Sequence, residues 1–197
     1  MWIVLTKNKL KEVAMRLFGE KGYEGTALSE IAKEVGVKTP AIYAFFENKE
    51  DLFMTVFREA MQSYNTYIQE LSEEQKVLSA QESLRGILSR QYEFYQKSPE
   101  ASKIVLRYVV FPPAFLKETI EEAFLESDAM LTKIIEQFIS KGMEEGVIRD
   151  QSVQLLADAF LNLMDGLSMQ YFYYTSKGIY ERKLNHAFEM YWKGASS

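Results

Sequence analysis

The sequence predicts an all-α fold, on three observations. Apolar side chains recur at helical spacing through nearly the whole chain, glycines and prolines fall mostly at the ends of those stretches, and no run alternates as a strand requires. The predicted organisation is a three-helix unit containing a helix-turn-helix over residues 1–51, followed by a larger helical domain over residues 52–197.

Leu10, Val13, Ala14, Leu17 and Phe18 share one face of a first helix, with Thr6 as its expected N-cap and Gly22 as its stop. A second, shorter helix carries Leu28, Ile31, Ala32 and Val35; Thr26 is expected to cap it and Gly36 to end it. A third short helix is expected from Pro40 to Phe46. Thr39 can cap it, and Pro40 suits the first helical position, where its missing N–H costs nothing. Asn48 caps a fourth helix in which Leu52, Phe53, Val56, Phe57, Ala60, Met61 and Tyr64 recur, ending near Leu71 and long enough to link two domains. Residues 72–76 read as a polar loop. Further helices are expected over residues 79–97, 99–110, 114–145 with Ser127-Asp128 as the candidate break, 151–175 and 179–193. Pro99, Pro112, Pro113, Gly142, Gly146 and Gly178 punctuate them.

Composition narrows the function classes. A chain of 197 residues, 47% hydrophobic and 26% charged, can bury a core without staples. With no cysteine, disulfide frameworks, thiolate metal sites and cysteine nucleophiles are excluded, and a reducing cytoplasm is the expected location. His186 is the single histidine, so multi-histidine metal sites and most hydrolase templates fail; no metal, catalytic residue or cofactor is expected. The apolar start Met1–Leu5 is followed by Lys7, Lys9 and Lys11 with no small-residue cleavage site, so it does not read as a signal peptide. No apolar run reaches the ~18 residues that a membrane span needs, and no membrane partner is expected. Net charge is −5, but residues 1–51 balance eight basic against eight acidic side chains, so all the excess acid follows them. A neutral first segment can still set a basic edge against DNA while the acidic remainder stays clear of phosphate.

The informative stretch runs from Thr26 to Leu52. Two short helices joined by a glycine-containing turn and packed by Ile31, Ala32, Val37 and Ile42 make a helix-turn-helix, whose second helix can enter a major groove about 12 Å wide. Thr26, Ile31-Ala32, Gly36-Val37, Ile42-Tyr43, Phe46 and Lys49-Glu50-Asp51-Leu52, preceded by Ala14, Phe18 and Gly22-Tyr23, resemble the DNA-binding domain of the TetR family of bacterial transcriptional regulators. The resemblance covers residues 6–57. It implies that Tyr43 and Lys49 contact phosphate, and that Lys38, Thr39, Pro40, Ala41 and Ala44 occupy the start and face of the recognition helix. Lys38 could reach guanine O6 and N7, and Thr39, Pro40 and Ala41 could touch thymine methyls. For Thr26 a phosphate contact would add to its capping role. Ala44 and Ala27 stand where the family often carries larger polar or hydroxyl residues, which reduces direct contacts.

In the larger domain, aromatic and methionine side chains can line an adaptable apolar cavity: Phe57, Met61, Tyr95, Tyr108 and Phe111 on the earlier helices, with Phe115, Met130, Phe138, Met164 and Tyr171 on the later ones. The same spacing also describes an ordinary core. The resemblance implies that this region binds a small-molecule effector. Val110–Pro113 reads as a corner or a pocket mouth. The last two helices carry Leu156, Phe160, Leu163 and Leu167, then Tyr180, Leu184, Phe188 and Tyr191, more than one intramolecular seam requires, so a four-helix homodimer interface is expected there. Gly166 in mid-helix suggests a close backbone approach, and His186 a surface or interface hydrogen bond.

The expected function is a homodimeric, ligand-responsive, sequence-specific repressor, released from a palindromic double-stranded operator by a small apolar or aromatic effector. The alternative is a helical carrier or sequestering protein that has lost DNA readout, for which Ala41, Ala44 and the acidic excess speak. Glu121-Glu122 and Glu144-Glu145 point in different directions on their helices and read as solvated faces, so an enzyme is not expected.

Overall fold

The computed structural model describes residues 2–74, 77–174 and 176–197, with side chains from residue 4 to residue 70 and again from residue 77, Thr175 excepted. Among these, α1 spans Trp2–Lys21, α2 Leu28–Val35, α3 Lys49–Glu74, α4 Ala80–Lys97, α5 Pro99–Val110, α6 Lys117–Glu144, α7 Val153–Tyr173 and α8 Lys177–Ala195, with 3₁₀ segments at Thr39–Ala44 and Ala114–Leu116. The all-helical expectation holds. Outside the helices the described residues form one isolated antiparallel bridge, between Ile148 and Ser196.

Several boundaries differ from the sequence reading. Thr6 is not an N-cap: α1 begins earlier and buries it. Ser72–Glu74 continue α3 and are not loop, whereas Gln75, Lys76, Met1 and Thr175 lie outside the described residues. α6 runs unbroken through Ser127-Asp128, because the Ser127 hydroxyl donates to Asn65 Oδ1 at 2.5 Å and does not compete for its own backbone.

The chain forms two compact units, one comprising Met1–Tyr64 with Tyr95–Glu126, the other Asn65–Phe94 with Ser127–Ser197. In the first, α1 lays Leu10, Ala14, Leu17 and Phe18 against Ile31, Ala32, Ile42, Leu52 and Phe53, all of them buried. α5 packs along α1 and adds Ile104 and Tyr108 to this core. Phe53 makes edge contacts with Phe18, Tyr23 and Tyr108 at 5.2, 5.3 and 4.7 Å between ring centroids, the geometry that aromatic quadrupoles prefer.

The second unit is organised around Leu84, Leu88, Ile135, Ile139, Leu156, Phe160, Met164, Leu167, Leu184 and Phe188. Tyr92, Tyr171 and Tyr180 form a three-ring cluster. Gly142 lies against Ile148 and Ala80 so closely that a Cβ would meet their atoms at 2.6 and 2.9 Å, which only glycine avoids. Arg149 closes the C-terminus of α8, donating from Nη2 to the carbonyls of Lys193 at 3.3 Å and Gly194 at 2.7 Å.

Candidate nucleic-acid interface

The helix-turn-helix is assembled from local signals. Gly22, at φ 81°, accepts the left-handed conformation that ends α1, and its N–H donates to the Phe18 carbonyl at 3.1 Å. Thr26 does not cap α2. Ala27 holds that position, and the buried Thr26 hydroxyl turns back to the Leu17 and Gly22 carbonyls at 3.1 and 2.8 Å. It satisfies the end of α1 and is not presented to solvent, so the expected phosphate contact is withdrawn. Gly36, at φ 79°, ends α2 as expected.

The segment expected as a helix from Pro40 to Phe46 is a 3₁₀ helix, Thr39–Ala44, for which Lys38 and not Thr39 is the N-cap residue. Ile42 anchors it in the core, with Phe46 buried just beyond its end. Around that anchor Lys38, Pro40, Tyr43 and Ala44 are exposed, Thr39 and Ala41 half-buried. Tyr43 is 57% exposed, an uneconomical place for an aromatic ring with no partner surface. The expected Asn48 cap is present. Its Oδ1 accepts from the Asp51 N–H at 2.9 Å, and Asp51 Oδ2 accepts from the Glu47 N–H at 2.9 Å, a reciprocal arrangement that fixes the start of α3.

Part of the charge on the first two helices is taken up in ion pairs. Arg16 pairs with Glu20 and Glu34, Lys21 with Glu30, and Lys11 with Glu59. Among the described residues Lys38 and Lys49 form no ion pair, which leaves positive charge just before the exposed segment and at the start of α3. The Lys49 ammonium lies over the Tyr23 ring, 4.4 Å from its centroid. Burial, helped by the charges of Glu50 and Glu24, pushes the Tyr23 hydroxyl above the ordinary phenol range.

α5 reaches the same corner. Arg107 Nη1 donates to the Gly19 and Glu20 carbonyls at 3.3 Å each, and the Tyr108 hydroxyl donates to the Phe18 carbonyl at 3.2 Å. Arg107 was not legible as a partner of α1 in the sequence, since the contact spans 88 residues with no local pattern. Burial pushes the Tyr108 hydroxyl up to about 12.

The expected cavity residues divide. Phe57, Met61, Tyr95, Tyr108, Phe138 and Met164 are buried, Met130 and Tyr171 half-buried. Phe111 and Phe115 are not turned inward: they are 79% and 55% exposed, because α5 ends at Val110 and Pro112-Pro113 turn the chain in a corner. With Tyr108, Tyr23 and Arg107 they line an open groove of about 830 Å³.

The expected interface residues are also redistributed. Leu156, Phe160, Leu167, Tyr180, Leu184 and Phe188 are buried within the chain's own second unit, and the half-buried Tyr191 donates to the Leu156 carbonyl at 3.0 Å. Periodicity identified them as buried without saying against what. Leu163 is half-buried beside a groove of about 440 Å³ that also holds Gly166, His186 and Met190. The apolar side chains left open on α7 and α8 instead include Leu155, Met169, Tyr173 and Met190, at 60%, 42%, 79% and 68% exposure. A Cβ at Gly166 would meet nothing within 4 Å, so the expected close backbone approach does not occur within the chain.

A capped helix-turn-helix with an exposed second element, carried on helical units, defines the class as a helix-turn-helix protein. Residues 10–56 match the family model described as bacterial regulatory proteins, tetR family. It is 25% identical over 134 residues to the probable HTH-type transcriptional regulator YttP of Bacillus subtilis (strain 168), and 33% identical over 82 residues to the fatty acid metabolism regulator protein of the same organism. These alignments take in 68% and 41% of this chain and 65% and 41% of the relatives' own length, less than two thirds of either. In fold it is similar to the transcriptional regulator FadR from Bacillus subtilis in complex with stearoyl-CoA, with a TM-score of 0.75, 21% identity, and coverage of 95% of this chain and 98% of that one.

Proposed function

We propose that the protein is a homodimeric, sequence-specific transcriptional repressor that reads a palindromic operator and is released by a small effector bearing an apolar acyl or aromatic group. The observation that carries this reading is the Lys38–Ala44 segment, anchored by buried Ile42 and presenting Lys38, Tyr43 and Ala44 to solvent. Residues 1–51 are the DNA-binding domain and residues 52–197 the effector-binding and dimerisation domain. Tyr43 and Lys49 hold phosphate and set register, while Lys38 and Thr39 supply what polar base readout there is.

Dimerisation uses the face of α7 and α8 that carries Leu155, Leu163, Gly166, Met169 and Met190; the open space at Gly166 lets a second backbone approach. Two recognition segments then lie about one helical turn apart, roughly 34–36 Å. The effector favours a state in which α3 tilts and that spacing is lost, by no more than its differential affinity for the two states. An acyl effector is supported by the similarity to the fatty acid metabolism regulator and by the stearoyl-CoA held in the FadR structure.

The test is selection of fragmented DNA from the source organism at physiological salt, followed by titration of the recovered fragment with stearoyl-CoA. Enrichment of a two-fold symmetric site that stearoyl-CoA releases supports the reading. Uniform or absent retention refutes DNA readout, and a retained complex indifferent to stearoyl-CoA refutes the acyl effector alone.

A further inference from the structure

We propose that Tyr23 is a positioning residue for DNA binding, its ring holding the Lys49 ammonium at the start of α3 in readiness for a phosphate oxygen. The inference rests on the reading of Lys49 as a phosphate contact. Lys49 is the first residue of α3, and its Nζ sits 4.4 Å from the Tyr23 ring centroid.

The ring is itself fixed. Phe18 lies nearly parallel to it, at 11° with 5.9 Å between centroids, and Phe53 and Phe115 meet it at 5.3 and 5.2 Å in edge geometry. Gly22 sets its direction through a backbone conformation that other residues rarely adopt. Three aromatic neighbours therefore hold a π-face under a side chain that is otherwise among the most mobile.

The chemistry favours a loan over a permanent bond. An ammonium carries three N–H donors, and a ring face engages one side of it, leaving donors for phosphate. A carboxylate would neutralise it. Glu24 and Glu50 lie close enough to Tyr23 for their charges to act on its hydroxyl, yet among the described residues Lys49 pairs with neither. The ring keeps the charge available and lowers the ordering cost that a free lysine incurs when it meets DNA.

The test uses the full chain and a random-sequence DNA duplex of about 30 base pairs, about three turns, since phosphate binding needs no particular sequence. Position 23 is occupied in turn by phenylalanine, 4-fluorophenylalanine and pentafluorophenylalanine, which keep the ring while weakening and then reversing the charge of its face. Thermal unfolding checks that each variant folds. Binding is expected to be near wild type for Tyr23→Phe and about two- to fivefold weaker per recognition unit for the pentafluoro variant, with the monofluoro variant between. The salt slope should fall by up to about one for each lysine that no longer meets a phosphate, and in a Lys49→Met background the series should have no effect. Equal or tighter binding across the series overturns the inference. If Lys49→Met alone changes neither affinity nor slope, the phosphate role of Lys49 fails first, and the inference with it.

Discussion

The helix-turn-helix of residues 26–52 and the α7–α8 pair both bury apolar residues at helical spacing, yet for different reasons. Around residues 26–52 burial is decided locally: Gly22, Gly36 and Asn48 end or start helices through their own backbone and side-chain chemistry, and Ile42 has one place to go. Along α7 and α8 burial is decided by neighbours remote in sequence. Leu156, Phe160 and Leu167 face the chain's own core, while Leu155 and Met169 on the same helix face solvent. Local punctuation can be read from residues one at a time; the partner of an apolar stripe cannot.

Substitutions on either side of that divide sharpen it. The largest effect is expected at Phe160, where Phe160→Ala should cost about 3–5 kcal/mol of stability in denaturant unfolding. A cost below about 1 kcal/mol would mean that its core assignment is wrong. Thr26→Val should cost about 1–3 kcal/mol, because the Leu17 and Gly22 carbonyls lose their donor; an unchanged midpoint would return Thr26 to the surface role that the sequence suggested. Asn48→Ala should cost about 1 kcal/mol through loss of the cap, and should leave α3 helical by circular dichroism.

Met190→Glu should alter the unfolding free energy of a protomer by no more than about 0.5 kcal/mol. It should nevertheless shift sedimentation toward the monomer, which separates the open face of α8 from the buried one. A further effect is expected at high pH. Tyr108 ionises more readily unfolded than folded, so its contribution to stability is intact below about pH 10 and lost as the pH rises toward 12. Tyr108→Phe should flatten that alkaline loss, and an unchanged alkaline slope would show that the hydroxyl is more hydrated than its burial implies.

Much of the fold was legible in the sequence, and for identifiable reasons. Pro99 and the glycines at 22, 36 and 146 mark helix ends because their backbones cannot continue a helix cheaply. Thr26 misled because a hydroxyl before a helix is equally able to bond backward, and only the path of α1 decides. The cluster around Tyr23 was half legible: its place after Gly22 was visible, whereas its approach to Lys49 and Phe115 joins parts of the chain that no local pattern connects.

The central claim is that the exposed Lys38–Ala44 segment reads DNA. The most direct measurement is affinity across a salt series for the recovered genomic fragment and for a scrambled duplex, with wild type and Tyr43→Ala. A steep decline with salt, a preference for the genomic fragment that survives it, and a loss for Tyr43→Ala on both duplexes are the predicted results. Equal affinity for the two duplexes, indifferent to Tyr43, would contradict the account.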